Sequence, residues 1–160
     1  MLLLLASYGL GAAEVVSLRC DDIDWRAKVL QVRRPKTGAL VDLPLLPAVA
    51  RALAAYLRRG RPAHIEAREV FITARMPYRA ITSAALRHRV RKHASRAGFE
   101  KSVPLGTHVF RHSHATRQID LGANPKIVSD ILGHRRPSST SVYVRVALRR
   151  LRALALPVPR

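Results

Sequence analysis

Apolar residues fill Met1 to Ala6, and the stretch to about Tyr8 reads as the end of an apolar helix. Ala12 to Arg19 reads as a second short helix, broken from the first by Gly9 and Gly11. The opening has no N-cap or polar lead-in, the pattern of a chain that begins inside a hydrophobic helix. The period then changes. Ile23 to Arg34 and Leu40 to Leu43 read as two short strands, with Leu30 and Val32 facing one way and Gln31 and Arg33 the other. Pro35-Lys36-Thr37-Gly38 supplies the turn, so a hairpin with Lys36 at its tip is expected.

Helical spacing returns at Val49, Leu53, Tyr56 and Leu57, and Gly60 closes that helix. Val70 to Thr73 is a candidate further strand. Thr82 to Ala97 predicts a helix with Leu86, Val90, Ala94 and Ala97 along one stripe and Arg87, Arg91, Lys92 and Arg96 along another, a candidate phosphate-facing surface. Thr107 is the expected N-cap of a helix through Leu121, ended by Gly122. Asn124-Pro125 starts another, ending at Leu132 before Gly133. Ser138 or Ser139 would cap a last helix to about Leu154, stopped by Pro157. The predicted fold is mainly α with one small antiparallel β-sheet, an α+β class. No internal repeat or linker divides the chain, and 160 residues suit a single domain.

Lysine and arginine number 29 against 10 acidic residues, a net charge of +19, in a chain that is 48% hydrophobic. A disordered basic tail lacks those apolar residues, and a membrane helix needs about 18 uninterrupted ones. The apolar start is too short for a secretory signal and lacks a leading basic residue. Cys20 is the one cysteine, which excludes an internal disulfide and a thiolate metal cluster and reads as an intracellular chain. The charge is mostly arginine, densest at Arg87, Arg89, Arg91, Lys92 and Arg96 and again at Arg145, Arg149, Arg150 and Arg152. Guanidinium forks match paired phosphate oxygens, so nucleic acid is the leading partner. The competing explanation is an arginine-rich proteome that raises charge everywhere.

His108, Arg111, His112 and Ala115 fall three and four residues apart and project from one helix face. Three readings stand side by side. His108 and His112 have the i, i+4 spacing of a zinc pair, but Val109 stands where the metalloprotease motif needs glutamate, and Arg111 would repel the ion. The face could simply be solvated. Alternatively it is an anion site, with Arg111 as the fork and His108 as a donor to phosphate. His134, just past Gly133, and Tyr143 add weight to this reading, the phenol being a candidate nucleophile. A phenol with a pKa of about 10 needs a base and cationic neighbours to attack phosphorus.

The ordered set of Lys36 in a hairpin turn, His108-Val109-Phe110-Arg111-His112, Leu132-Gly133-His134 and Tyr143 resembles the catalytic domain of the tyrosine recombinase, or phage integrase, family. The resemblance runs from about Ala6 to Val146. It includes Ser17-Leu18-Arg19 leading to Asp22-Ile23-Asp24, Lys36-Thr37-Gly38, Leu43-Pro44-Leu45 and Ser113-His114-Ala115-Thr116. It implies the recombinase catalytic fold, duplex DNA as partner and reversible strand cleavage and rejoining with neither metal nor other cofactor. By resemblance Tyr143 attacks the scissile phosphate and forms a 3′-phosphotyrosyl link. Arg111 and His134 stabilise the nonbridging oxygens, Lys36 protonates the leaving 5′ oxygen, and His108 is a general base or phosphate ligand. The setting implied is a mobile element in a bacterial or phage-derived context, with the protein cytoplasmic and nucleoid-associated.

Two departures from the family pattern stand out. The family writes G-L-R-x-S-E at the first catalytic arginine, and this chain has Gly9-Leu10-Gly11-Ala12-Ala13-Glu14, so Gly11 stands where that arginine belongs. Arg19, about two helical turns on, is too far to replace it. Cleavage is therefore expected to be severely reduced. The second departure is at the front. Family members carry an N-terminal helical clamp domain, and the catalytic domain itself begins earlier than this chain does, so weak site recognition is expected. The alternative function is a catalytically dead DNA-binding remnant. Lys36-Thr37-Gly38 also occurs in serine acyl enzymes, but no serine here has lysine three places later. Three Phe, four Tyr and one Trp offer no stacking cluster for unpaired RNA bases. From Val144 to Leu156, leucines alternate with arginines, and by resemblance this end either links neighbouring subunits on DNA or folds back onto its own domain.

Overall fold

In the computed structural model, residues 1–35, 37–63, 65–99 and 106–132 are described. Helix α1 (Leu2–Tyr8) ends at Gly9, whose φ of 63° is left-handed. A Cβ there would lie 3.0 Å from both His114 and Leu132, so glycine is needed for both the turn and the close approach. Helix α2 (Ala12–Val16) follows at once, with Gly11 as N-cap in ordinary extended geometry and the Glu14 carboxylate accepting the Gly11 N–H at 2.6 Å.

The sheet is antiparallel, in the order β1 (Ile23–Asp24), β2 (Val29–Arg33), β3 (Leu40–Pro44). The single strand expected over 23–34 is thus two strands. Asp24 accepts the Ala27 N–H at 2.7 Å and Lys28 takes a φ of 56°, so the chain reverses between them and Ile23 pairs with Leu30. Leu30 pairs with Leu43 and Val32 with Val41. Leu30 and Val32 are buried while Arg33 is exposed, as the alternation predicts. The expected strand at Val70 to Thr73 forms only an isolated bridge, Ile72 to Ala80. Its apolar run is spent on burial, since Val70, Phe71 and Ile72 are all in the core.

Helix α3 (Pro47–Arg59) buries Val49 and Leu53, and α4 (Ser83–Arg96) buries Leu86 and Val90 against the main core. Thr82 caps α4 by accepting the Ala85 N–H at 3.2 Å. Ala97, the expected end of the apolar stripe, is exposed. Helix α5 (Thr107–Asp120) has Gly106 as its N-cap, not Thr107, which is buried as the first helical residue. A Cβ on Gly106 would meet the exposed His108 ring at 2.7 Å, so a side chain there would require that ring to turn. Helix α6 (Pro125–Leu132) begins as expected, with the Asn124 side chain accepting the Lys126 N–H at 2.8 Å. Helices α1 and α5 pack against each other, and α5 and α6 share a small second core of Ala115, Val128 and Leu132. The expected last helix from Ser138 or Ser139 lies outside the described residues. The fold class, mainly helical with a small antiparallel sheet, is the one predicted. No helix among the described residues is long and apolar enough to cross a membrane.

Candidate active site

Glu14 is 8% exposed and Arg34 6% exposed, an arrangement that low-dielectric burial tolerates only between paired charges. Arg34 Nη1 donates to Glu14 Oε1 at 2.5 Å. Arg111, reaching back from α5, donates from Nη1 to Glu14 Oε2 at 3.3 Å and to the Gly9 carbonyl at 3.4 Å. One carboxylate therefore holds two guanidiniums and the N–H of Gly11, the N-cap of α2. The same arginines reach the far end of the chain's described part, since Arg34 Nη2 donates to the Ile131 carbonyl and Arg111 Nη2 to the Leu132 carbonyl. These carbonyls belong to the last two residues of α6, where the helix dipole favours cations. Five segments thus converge: the α1–α2 junction, α2, the end of β2, the start of α5 and the end of α6.

Position 11 belongs to this cluster. A Cβ on Gly11 would lie 3.5 Å from Glu14 Oε2 and 3.8 Å from Arg111 Nη1, both ordinary van der Waals distances. The φ of −76° and ψ of 160° suit any residue. Nothing in the backbone asks for glycine, and a side chain there would begin beside the guanidinium of Arg111.

His108 is exposed in the first turn of α5 and meets His112 edge to face at 6.0 Å between ring centres. Burial first, then the neighbouring His108 and Arg111, push the His112 pKa down. His114 is half-buried between α5 and α1. Burial lowers its pKa, a hydrogen bond with the Ala6 backbone opposes this, and Arg111 and Arg117 lower it further. Its folded pKa is below the unfolded value of about 6.5, so the unfolded chain takes the proton first. The contribution to stability is complete above about pH 6.5 and is lost as pH falls through the folded pKa. Thermal melts of the unaltered chain should therefore drop between neutral pH and about pH 5 by more than those of His114→Gln. Equal drops would show that His114 does not set the acid sensitivity of the fold.

Arg87, Arg91, Lys92 and Arg96 are all exposed on α4, opposite its buried Leu86 and Val90. Arg19 is exposed, and its backbone N–H donates to Asp22 Oδ2 at 2.7 Å. Lys36, His134 and Tyr143 lie outside the described residues. Among the described residues no group of three metal-ligating side chains is present. Sequence reasoning overlooked Arg34, which read as the end of a strand, and took Glu14 only as part of a motif. A glutamate within an otherwise apolar helix does signal a buried partner, but its partners are 20 and 97 residues away.

The family model described as the phage integrase family matches residues 1–150. The chain belongs to the phage integrase family. It is 42% identical over 159 residues to the putative integrase/recombinase y4gC of Sinorhizobium fredii, covering 99% of this chain and 81% of that one. It is 41% identical to y4rA of the same organism, over 99% of this chain and 38% of the relative. Identity to the tyrosine recombinase XerD of Ralstonia nicotianae is 32% over 96% of this chain and 50% of the relative. This integrase-family chain therefore spans between two-fifths and four-fifths of these relatives. Among solved structures it matches that of XerA recombinase with a TM-score of 0.79 at 23% identity, covering 98% of this chain and 55% of the other. A match to XerH recombinase bound to a palindromic difH substrate has a TM-score of 0.77 at 19% identity, over 95% and 42% of the two chains. These likenesses establish the tyrosine recombinase catalytic fold for the integrase-family chain.

Proposed function

We propose that the chain is the catalytic part of a tyrosine recombinase that binds duplex DNA and is built to cleave and rejoin it through a 3′-phosphotyrosyl intermediate, with cleavage slowed by Gly11. The observation that supports this most is the charged cluster at the α1–α2 junction. There Arg111, a hundred residues away in sequence, comes within 3.8 Å of the Cβ position of residue 11. A side chain at position 11 and Arg111 are thus neighbours, as two donors to one phosphate must be.

In this reading the Tyr143 phenol oxygen forms the new bond to phosphorus as the bond to the 5′ oxygen breaks. His108 takes the phenol proton or binds the phosphate, and Lys36 delivers a proton to the leaving 5′ oxygen. Arg111 and His134 carry the charge that grows on the nonbridging oxygens. The bond energy is kept in the phosphotyrosyl link, so the reverse attack religates the strand without metal or nucleotide. Arg87, Arg91, Lys92 and Arg96 hold the backbone along α4, and the segment from Val144 to Leu156 provides for self-association on DNA. The cytoplasm of a bacterial host is the compartment this activity requires.

Gel-shift titrations of the chain with duplex DNA should show affinity falling steeply with salt. Neutralising six to ten phosphates costs about 10³- to 10⁵-fold between 50 and 200 mM salt. Replacing Arg87 and Arg91 by alanine should lower the salt slope by about one for each phosphate that is no longer neutralised. A binding curve indifferent to salt would sink the reading. Gly11 also favours a second reading, a DNA-binding remnant without cleavage. It requires the same salt dependence with no covalent adduct from the unaltered chain, whereas the first requires an adduct that vanishes in Tyr143→Phe.

A further inference from the structure

The geometry points to Arg34 as a positioning residue that keeps the anion site cationic by taking the Glu14 carboxylate away from Arg111; this rests on the reading of the cluster as a phosphate site. Among the described residues, two guanidiniums against one carboxylate leave the cluster with one positive charge. The division between them is unequal, with Arg34 bound to Glu14 at 2.5 Å and Arg111 at 3.3 Å. Burial reinforces this. The Arg34 side chain is 7% exposed and that of Arg111 19%, so the tighter pair is the one further from water, where charge attraction is strongest.

Without the Arg34 charge, Arg111 would be the one guanidinium left on Glu14 among the described residues. The cluster would then be neutral, and a phosphate approaching Arg111 would meet a carboxylate already engaged with it. Arg34 thus offsets, from behind, part of the positive charge that position 11 does not provide. It does so from a fixed place, because its Nη2 is held by the Ile131 carbonyl at the end of α6. Its Nε is buried with no hydrogen-bond partner among the described residues.

The test is a charge cycle in the full chain, with Arg34→Gln, Glu14→Gln, the double variant and Arg34→Lys, each first shown to melt cooperatively. The readout is duplex affinity against salt. Arg34→Gln should weaken binding about three- to tenfold near 0.1 M salt and lower the salt slope by about one. The double variant removes both charges, leaves Arg111 cationic and should return to within about twofold of the unaltered chain. Arg34→Lys, which keeps the charge, should stay near the unaltered value. If Arg34 were only structural glue, removing its partner as well would not rescue binding, and a loss that persists in the double variant overturns the inference. So does an Arg34→Gln chain that binds normally.

If the unaltered chain binds no duplex, the proposed function fails by itself. The same cycle is then read through the stabilisation of the fold by inorganic pyrophosphate, judging Arg34 separately. The inference predicts loss in Arg34→Gln and recovery in the double variant, and equal stabilisation of all the chains, or of none, overturns it.

Discussion

Replacing Gly11 by arginine should raise the rate of covalent adduct formation on nicked suicide duplexes by about 10²- to 10³-fold, the usual worth of one preorganised donor to a developing oxyanion. The backbone at position 11 accepts any side chain, and its Cβ would be in ordinary contact with Glu14 and Arg111. The first carbon of the new side chain therefore fits beside the cluster without displacing it. Glu14 has one oxygen on Arg34 and the other shared by Arg111 and the Gly11 N–H, so it is also ready to orient an arginine arriving from position 11. The measurement is adduct on a denaturing gel, with duplexes drawn from the DNA flanking the gene and Tyr143→Phe as the blank. An increase in Gly11→Arg that disappears in Gly11→Arg/Tyr143→Phe would establish both residues in the same reaction. Equal adduct with and without the arginine would remove position 11 from the chemistry.

Glu14→Ala should cost about 3 to 5 kcal/mol of stability, measured by urea unfolding. The loss arises because Arg34 stays behind, buried and without its carboxylate, while the Gly11 N–H at the start of α2 loses its acceptor. Against a typical total of about 5 to 15 kcal/mol, this takes a large share of the stability of the fold. Glu14→Gln keeps an acceptor for Gly11 and Arg34 and should cost clearly less. A Glu14→Ala chain within about 1 kcal/mol of the unaltered one would mean that water reaches Arg34 readily and that the pair is not truly buried.

Much of this was legible in the sequence, for local reasons. Alternation at Leu30 to Arg33 placed a half-buried strand, and helical spacing at Val49 and Leu53 placed α3, because side-chain period decides which face meets the core. Asn124-Pro125 marked the start of α6 through its capping chemistry. The errors were local too. The reversal between Asp24 and Val29 was hidden because Trp25 and Ala27 interrupt no hydrophobic pattern, and the turn is made by an Asp24 side-chain bond and a left-handed Lys28. The apolar run at Val70 to Ile72 looked like a strand because burial and β-pairing demand the same residues.

By itself the sequence determined the family and the helical class with its small sheet, and it nominated the residues proposed to meet a phosphate, since all of these are carried by residue type and short spacing. It also exposed Gly11, because a missing side chain is visible in a motif. Only the tertiary structure decided that Arg111 turns back to the α1–α2 junction, that Glu14 is shared between Arg111 and Arg34, and that both arginines close the end of α6. Those pairings join residues 20 to 102 positions apart. No local period encodes them: they exist because a buried charge must find an opposite one, and which one it finds depends on how the helices pack.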